Sequence, residues 1–340
     1  MRPLAPPVWV IENGAVSLPG DGAAWRRAPA AGLGTGRGLL RWPAVDYGLK
    51  EPERPGATRL PDGRALGWAR WGPEGGAPVL FFSGAAMGRS LGFGADVLDR
   101  WGARLIAVDR PGLGASDPDP GRTLTDWVTD VRHLACALAL GDGLGIVGFS
   151  QGAPFALACA AAGIADSVAV VSGQDDLNHP ALAELLAPDV KGMLRAAATD
   201  PQGFEESFAA EADADAMWWL VMSTSSEVDL AVYADPSFEA VYRRSLGEGF
   251  SQGAEGYARD LALAFGRWPF EPGEISMPVD LWYGAHDASP VHSPDHGAVL
   301  ARRIPTARRH LVPDAGGSLL WTHAEEILGS LVSAGRRPNG

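Results

Sequence analysis

Short runs of apolar residues alternate along most of the chain with segments of helical periodicity. The runs V-L-F-F, L-I-A-V and L-G-I-V-G-F, at 79–82, 105–108 and 144–149, carry no charged side chain. Strands of this composition are buried on both faces. The segment L-T-D-W-V-T-D-V-R-H-L-A-C-A-L, at 124–138, repeats apolar residues every three or four positions, as an amphipathic helix does. The alternation predicts an α/β fold with a mostly parallel, doubly wound sheet.

The alternation is interrupted once. After S-V-A-V-V-S-G at 167–173, about 100 residues have the pattern of helices and loops, before M-P-V-D-L-W-Y-G at 277–284 resumes the strands. We therefore predict three parts: an N-terminal extension at 1–55, a core built from 56–173 and 275–335, and an inserted helical cap at 174–274. Within the extension, V-W-V-I-E-N-G-A-V-S-L predicts a hairpin that turns at Asn13-Gly14.

The charge of the chain limits its partners. Its 340 residues contain 28 Lys and Arg against 41 Asp and Glu, for a net charge of −13. Such a surface repels polyanions, so nucleic acid is not an expected partner. No apolar run approaches the roughly 18 residues of a membrane span. We expect a small-molecule substrate, with no membrane partner and with an oligomeric state that the sequence leaves open.

The N-terminus and the cysteines bear on location. Only the four residues Val8 to Ile11 are consecutively apolar near the start, too few for the core of a secretory signal. Cys136 and Cys159 stand among Ala and Leu in helical patterns, and two cysteines do not make a disulfide framework. We therefore expect reduced thiols and a cytoplasmic protein.

The segment G-F-S-Q-G at 148–152 joins an apolar run to a helix of small residues. A serine at the centre of such a strand-to-helix turn projects from its apex. Glycines are needed at 148 and 152 because a side chain there would strike the neighbouring strand or helix. The N–H of Gln151 and the positive end of the helix would face a developing oxyanion. The segment predicts Ser150 as a nucleophile rather than an incidental serine.

Four segments in order resemble the α/β-hydrolase family over about residues 58–335. They are V-L-F-F-S-G-A at 79–85, D-R-P-G-L-G-A-S-D at 109–117, the turn at 148–152 and L-W-Y-G-A-H-D at 281–287. The resemblance implies that the first segment supplies the second oxyanion-hole N–H, which falls on Ala85. It also implies that the last supplies the catalytic acid, which falls on Asp287 and would orient an imidazole.

The sequence departs from that family at the histidine. The resemblance places the catalytic His about 30 residues beyond the acid, before the final helix, and Gly317 stands there instead. The family's His-Gly after the first buried strand is here Ser83-Gly84. A serine without a base is a poor nucleophile. The usual hydrolytic route therefore needs another imidazole.

Two histidines in the loop of the acid could substitute. His292 is the first candidate and His286 the second, because this loop lies at the sheet edge where the loops after the strands converge on Ser150. The alternative is that both are ordinary solvated loop histidines. His323 would lie on a helix about 9 Å beyond the family position. His310 falls early in its strand, far from that edge.

The cap sequence carries a cluster of large apolar residues. Met217, Trp218, Trp219 and Met222 could line an apolar pocket above Ser150, or could pack the cap onto the core. We expect no metal site, because no spacing typical of metal ligands occurs, and no cofactor.

Three hypotheses remain open. The first is a serine hydrolase of a small, mainly apolar ester, lactone or amide, with a non-standard or missing base. The second, favoured by Gly317 and Ser83, is a hydrolase-fold protein without an acyl-enzyme, either a ligand-binding pseudoenzyme or a cyclase or lyase of secondary metabolism. The third is that Gly317 was introduced in the laboratory to trap an acyl-enzyme.

Overall fold

A sheet of eight strands forms the centre of the molecule. The computed structural model of the chain describes residues 10–12, 15–17 and 47–335. The described residues contain ten strands, of which the first two pair only with each other and the other eight form the large sheet. They are β1 (Val10–Glu12), β2 (Ala15–Ser17), β3 (Arg54–Arg59), β4 (Ala65–Trp71), β5 (Ala77–Phe82), β6 (Ala103–Val108), β7 (Gly145–Phe149), β8 (Ser167–Val171), β9 (Val279–Gly284) and β10 (Ala307–Val312).

Twelve α-helices occur among the described residues. They are α1 (Leu98–Trp101), α2 (Leu124–Ala137), α3 (Gly152–Ala161), α4 (Pro188–Thr199), α5 (Pro201–Glu211), α6 (Ala214–Thr224), α7 (Glu227–Tyr233), α8 (Pro236–Gly249), α9 (Glu255–Phe265), α10 (Ala298–Arg303), α11 (Leu319–Thr322) and α12 (Ala324–Gly335).

The strand order of the large sheet is β10-β9-β8-β7-β5-β6-β4-β3. The strands from β10 to β6 are parallel, and β4 runs antiparallel to both of its neighbours. The central strands are buried along their whole length, as their apolar runs predict. The chain leaves β5 in one direction and β7 in the other, so the carboxyl ends of these two strands form a crevice, where open α/β sheets bind ligands.

Two apolar cores cover the two faces of the sheet. One joins it to α2, α3 and α10, and the other joins it to α1, α11, α12 and the helices inserted between β8 and β9. Those inserted helices, α4 to α9, are the predicted cap. The predicted mostly parallel sheet is therefore confirmed, whereas the exact boundaries of extension, core and cap stay predictions.

The predicted N-terminal hairpin is described in part. Its strands pair antiparallel, with Ile11 opposite Val16, and its turn at Asn13-Gly14 lies outside the described residues. Further along the chain, α10 begins at Ala298, directly after His296 and Gly297, which adopt left-handed backbone conformations. The final helical segment is divided at His323, which lies between α11 and α12.

The loops that follow β8 and β9 are joined by buried polar contacts. The N–H of Ser293 donates to the carbonyl of Gly173 at 3.1 Å, and its hydroxyl lies 2.8 Å from a carboxylate oxygen of Asp175. The Tyr283 hydroxyl donates to the same Gly173 carbonyl at 3.1 Å. Burial raises the pKa of Asp175 to about 6, with Asp295 among the neighbouring charges that add to the effect. The loop after β9 is thereby held across the end of β8.

We predict that Asp175→Asn stabilises the protein at alkaline pH. Because the folded-state pKa of Asp175 is raised, the native state holds this proton more tightly than the unfolded chain, and stability is lost as the pH rises from about 4 through 6. A shift of this size corresponds to at most about 3 kcal/mol. Urea unfolding should show the variant more stable than the wild type at pH 8, with the difference shrinking towards pH 4.

The control is Asp176→Asn. Asp176 is the next residue, and its carboxylate pairs with Arg303 at 2.8 Å. Losing that ion pair should not stabilise the protein as the pH rises. Equal behaviour of the two variants would contradict the assignment to Asp175.

Candidate active site

The turn between β7 and α3 has the geometry that its glycines predict. Ser150 adopts a left-handed backbone conformation with φ of 51°. A Cβ on Gly152 would lie 2.1 Å from the carbonyl oxygen of Phe82, and one on Gly148 would lie 2.7 Å from the Cβ of Ala156. Neither position accepts a side chain. The turn is therefore pressed between the end of β5 and the start of α3, with Ser150 at its apex.

An imidazole lies between Ser150 and the carboxylate of Asp287. His292 Nε2 is 2.8 Å from the Ser150 hydroxyl oxygen, and His292 Nδ1 is 2.7 Å from a carboxylate oxygen of Asp287. The side chain of Asp287 is 3% exposed, and its other oxygen accepts the N–H of Ser289 at 3.1 Å. Serine, imidazole and carboxylate thus form a continuous hydrogen-bonded chain. His292, the first of the two substitutes considered from the sequence, completes it.

His292 reaches Ser150 because its loop crosses the neighbouring strand. In the sheet, β9 is separated from β7 by β8 alone, a distance of roughly 10 Å at ordinary strand spacing. The six residues from Asp287 to His292 span that gap. The contacts of Ser293 with Gly173 and Asp175, beyond β8, fix the far end of the crossing. The order of nucleophile, acid and histidine along the chain is the one implied by the family resemblance, with a much shorter interval before the histidine.

A carboxylate from the cap occupies the neighbourhood of the family's histidine position. Asp229, on α7 and 2% exposed, accepts the N–H groups of Gly317 at 2.9 Å and Ser318 at 2.7 Å. A Cβ on Gly317 would lie 3.1 Å from the Asp287 carboxylate, tighter than ordinary contact. The segment at 316–318 therefore holds the cap helix in this structure. It leaves little room for an imidazole between itself and Asp287.

The other histidines do not approach Ser150. His286 is exposed and contributes its backbone N–H, rather than its ring, to the loop. His310 bonds Asp280 at 2.9 Å and stacks on Trp282. His133 bonds the carbonyl of Arg59. Among the described residues, which include all seven histidines, the ring of His292 alone contacts the serine hydroxyl.

Two backbone N–H groups beside Ser150 are unpaired in the described parts of the chain. Ala85 and Gln151 both lie next to the serine in the same cavity, and neither backbone N–H donates to a protein acceptor there. These are the two groups that the sequence assigned to an oxyanion hole. Ser83, in place of the family's His, instead closes the turn after β5 by donating its hydroxyl to the carbonyl of Met87 at 2.9 Å.

The cavity above Ser150 is enclosed by the helices between β8 and β9. It has a volume of about 270 Å³ and a mainly apolar wall. The cap residues in that wall include Val190, Met193, Phe208, Met217, Leu220, Val221, Tyr233, Tyr242, Tyr257 and Leu261. The cavity fits a small, largely apolar molecule.

The prediction for the cap cluster is corrected in part. Met217 lines the cavity, but Trp218, Trp219 and Met222 do not. The lining positions of α6 are 217, 220, 221, 223 and 224, and all of them except 223 share one helical face. Trp218 lies on another face, where it packs on Tyr242 and beneath the guanidinium of Arg243. Helical spacing applied to α6 identifies the lining face, whereas hydrophobicity alone does not.

Three tyrosines contribute polar hydroxyl groups to the residues that line the cavity. Burial raises the pKa of Tyr233, Tyr242 and Tyr257, and the nearby charges of Asp229 and Asp287 raise that of Tyr233 further. Their hydroxyls therefore stay neutral at physiological pH. Each remains a hydrogen-bond donor in a mainly apolar wall.

Among the described residues, no group of three or more His, Cys, Asp or Glu side chains could hold a metal ion. No helix there is long and apolar enough to cross a membrane.

Known structures share this architecture. A probable hydrolytic enzyme from Pseudomonas aeruginosa PAO1 superposes with a TM-score of 0.61 at 19% identity, covering 86% of this chain and 96% of that one. An enol-lactonase from Burkholderia xenovorans LB400 gives 0.58 at 20% identity, covering 82% and 99%. An esterase from Exiguobacterium antarcticum gives 0.57 at 16% identity, covering 83% and 99%. At such identities the likeness shows the fold alone.

A comparison with curated proteins finds no significant match. The family model described as alpha/beta hydrolase fold matches residues 77–324, which is most of the chain. That range includes the turn at 148–152 and both Asp287 and His292. The chain therefore belongs to the α/β-hydrolase fold family.

Proposed function

We propose that the protein is a serine hydrolase that cleaves a small, mainly apolar ester, lactone or amide through an acyl-enzyme on Ser150. The observation that carries the proposal is the imidazole of His292, held between the Ser150 hydroxyl and the Asp287 carboxylate at 2.8 and 2.7 Å. A serine becomes a nucleophile when an adjacent base takes its proton, and a carboxylate behind the base orients it.

The proposed reaction proceeds in two halves. Ser150 Oγ attacks the substrate carbonyl while His292 Nε2 takes the hydroxyl proton, and Asp287 stabilises the resulting imidazolium through Nδ1. The imidazolium then donates its proton to the leaving alcohol or amine, and the acyl group stays on Ser150. Water, deprotonated by His292, then attacks the acyl carbon, the bond to Ser150 Oγ breaks, and the imidazolium returns the proton to that oxygen as the acid leaves. The N–H groups of Ala85 and Gln151 would hold the oxyanion in both halves.

The substrate class is inferred from the cavity wall. An apolar space of about 270 Å³ favours a small acyl or alcohol group with few polar substituents. The net negative charge of the chain also disfavours strongly anionic substrates. Location in the cytoplasm, suggested by the free cysteines Cys136 and Cys159, remains part of the proposal.

The non-hydrolytic hypothesis loses one of its two supports. It rested on Gly317 and Ser83 in positions where the family has histidine. With His292 in contact with Ser150, the glycine at 317 does not leave the serine without a base. The same contact removes the reason to suppose that Gly317 replaced a natural catalytic histidine.

The first prediction concerns the hydrogen-bonded chain. Fluorophosphonate should add one phosphonyl group to the wild type, seen in the intact mass, and Ser150→Ala should abolish this adduct.

His292→Ala should lower kcat for p-nitrophenyl esters by at least about 10³-fold, since loss of one triad member typically costs this much or more. His286→Ala, in the same loop but exposed, is the control and should stay within about twofold of the wild type. A fully active His292→Ala enzyme would refute the assignment of the base.

The second prediction concerns the family's histidine position. Gly317→His should not raise kcat, because a base is already in place and the new side chain would crowd the Asp287 carboxylate. We expect the rate to fall about tenfold or more, as misplacement of a triad member does. The measurement is the steady-state hydrolysis of p-nitrophenyl acetate by folded protein. A large gain in rate would instead restore the hypothesis that the site lacks its base.

The third prediction concerns the cavity. Val221→Trp should fill the apolar space and lower kcat/KM for p-nitrophenyl hexanoate about tenfold relative to p-nitrophenyl acetate, since the longer acyl chain needs the lost volume. Val228→Trp is the matched control, because Val228 is exposed on the neighbouring helix α7. An unchanged ratio in Val221→Trp would show that the acyl chain binds elsewhere.

A further inference from the structure

A buried arginine lies directly behind the turn that carries Ala85. Arg110 follows β6 by two residues, and its side chain is fully buried. Its Nη1 donates to the carbonyl of Ser83 at 2.7 Å, and its Nη2 donates to the carbonyl of Gly84 at 2.9 Å. Hydrogen bonds from a charged donor are stronger than those between neutral groups, more so in a dry interior. One guanidinium therefore fixes two consecutive peptide groups.

The planarity of the peptide bond carries this effect to the other side of the turn. In a trans peptide the carbonyl of one residue and the N–H of the next point in opposite directions. Because Arg110 draws the Gly84 carbonyl towards itself, the N–H of Ala85 points away from it. That N–H has no protein acceptor in the described part of the chain, and Ala85 lines the cavity with Ser150.

We propose that Arg110 is the positioning residue of the oxyanion hole. This inference rests on the proposed function, in which the Ala85 N–H stabilises the oxyanion. If the peptide between Gly84 and Ala85 turned over, its carbonyl would face the oxyanion and repel it. The turn-over would also leave a guanidinium donor unpaired in the interior, at a cost typical of buried charged groups. Arg110 thus holds the arrangement that favours the transition state before the substrate arrives.

The charge of Arg110 is balanced by the cap. Its Nε donates to Asp260 at 2.5 Å, and the other oxygen of Asp260 accepts from Arg122. All three side chains are buried, and the Arg110 guanidinium also lies 5.0 Å from the ring centre of Phe155. A buried guanidinium needs such a partner. Two cations share one anion here, so removal of the Arg110 charge leaves a balanced pair of Asp260 and Arg122.

The same cap helix supplies the cavity wall. Asp260 belongs to α9, and Tyr257 and Leu261 of that helix line the cavity. Residues 257 and 261 therefore line the cavity, whereas Asp260 of the same helix balances the charge of Arg110. Arg122 shares that carboxylate and also bonds the carbonyls of Asp119 and Gly256, and it contacts neither Ser83 nor Gly84.

The test compares Arg110→Lys and Arg110→Gln with Arg122→Lys. Lysine keeps the charge but loses the planar fork that holds two carbonyls, and glutamine keeps a donor without the charge. Both Arg110 variants should lose about 10- to 100-fold in kcat with KM changed less than threefold, somewhat less than the loss of an oxyanion-hole donor itself. Arg122→Lys should stay within about threefold of the wild type. Thermal unfolding of each variant identifies any that fail to fold, and either Arg110 variant alone suffices.

A second measurement separates positioning from general loss of structure. A trifluoromethyl ketone forms a tetrahedral adduct whose oxygen needs the oxyanion hole, whereas the matching methyl ketone binds as a planar analogue. In the Arg110 variants the inhibition constant of the first should rise by the same factor as kcat falls, and that of the second should not change. Equal losses for both ketones, or equal losses of kcat in the Arg110 and Arg122 variants, would overturn the role of Arg110. A wild type without a Ser150-dependent adduct would overturn the proposed function and this inference with it.

Discussion

The close packing of the turn at 148–152 against the end of β5 is the constraint on which the candidate site depends. With a Cβ at Gly152 excluded by the Phe82 carbonyl at 2.1 Å, the start of α3 lies directly on the strand that precedes Ala85. Ser150 must then take a left-handed conformation, which is costly for a residue with a side chain and persists only where the surroundings fix it. As a result, the hydroxyl of Ser150 and the backbone N–H groups of Ala85 and Gln151 lie in one cavity.

The packing of the turn does not determine which loop supplies the histidine. The hydroxyl at the end of β7 needs an imidazole beside it, but that imidazole can come from any loop that reaches the same edge of the sheet. Here the loop after β9 crosses β8, fixed by Ser293, and brings in His292. The loop after β10 does not supply the imidazole. Its backbone N–H groups at 317 and 318 instead donate to Asp229 of the cap. In the proposed function, the geometry of a triad is retained while the segment that supplies the imidazole differs, in line with the recognition of triads by geometry rather than by position.

The sequence predicted the sheet, the inserted helices and the turn at 148–152, because these depend on local patterns of apolar residues and glycine. It ranked His292 first among the substitutes but could not distinguish it from a solvated loop histidine, since the distinction depends on how a loop crosses a neighbouring strand. The sequence left Trp218 as a residue of either the cavity wall or the packing of the cap, because hydrophobicity does not decide between them, whereas the helical face of Met217 does. The role inferred for Arg110 was not visible at all, because the two carbonyls it binds and Asp260 are distant in sequence.

The cap is joined to the core by charge as well as by apolar packing, and the two charged contacts lie on opposite sides of Ser150. Asp229 binds the backbone beside Asp287, and Asp260 binds the arginine behind Ala85. Hydrogen bonds of buried carboxylates are directional and costly to leave unmade, so they restrict the cap to one arrangement more strongly than an apolar interface of equal area would. In the proposed site, a cap held this way defines the shape of the cavity, because its two carboxylates bind groups next to the backbone at 84–85 and at 317–318, which both lie near Ser150 and Asp287.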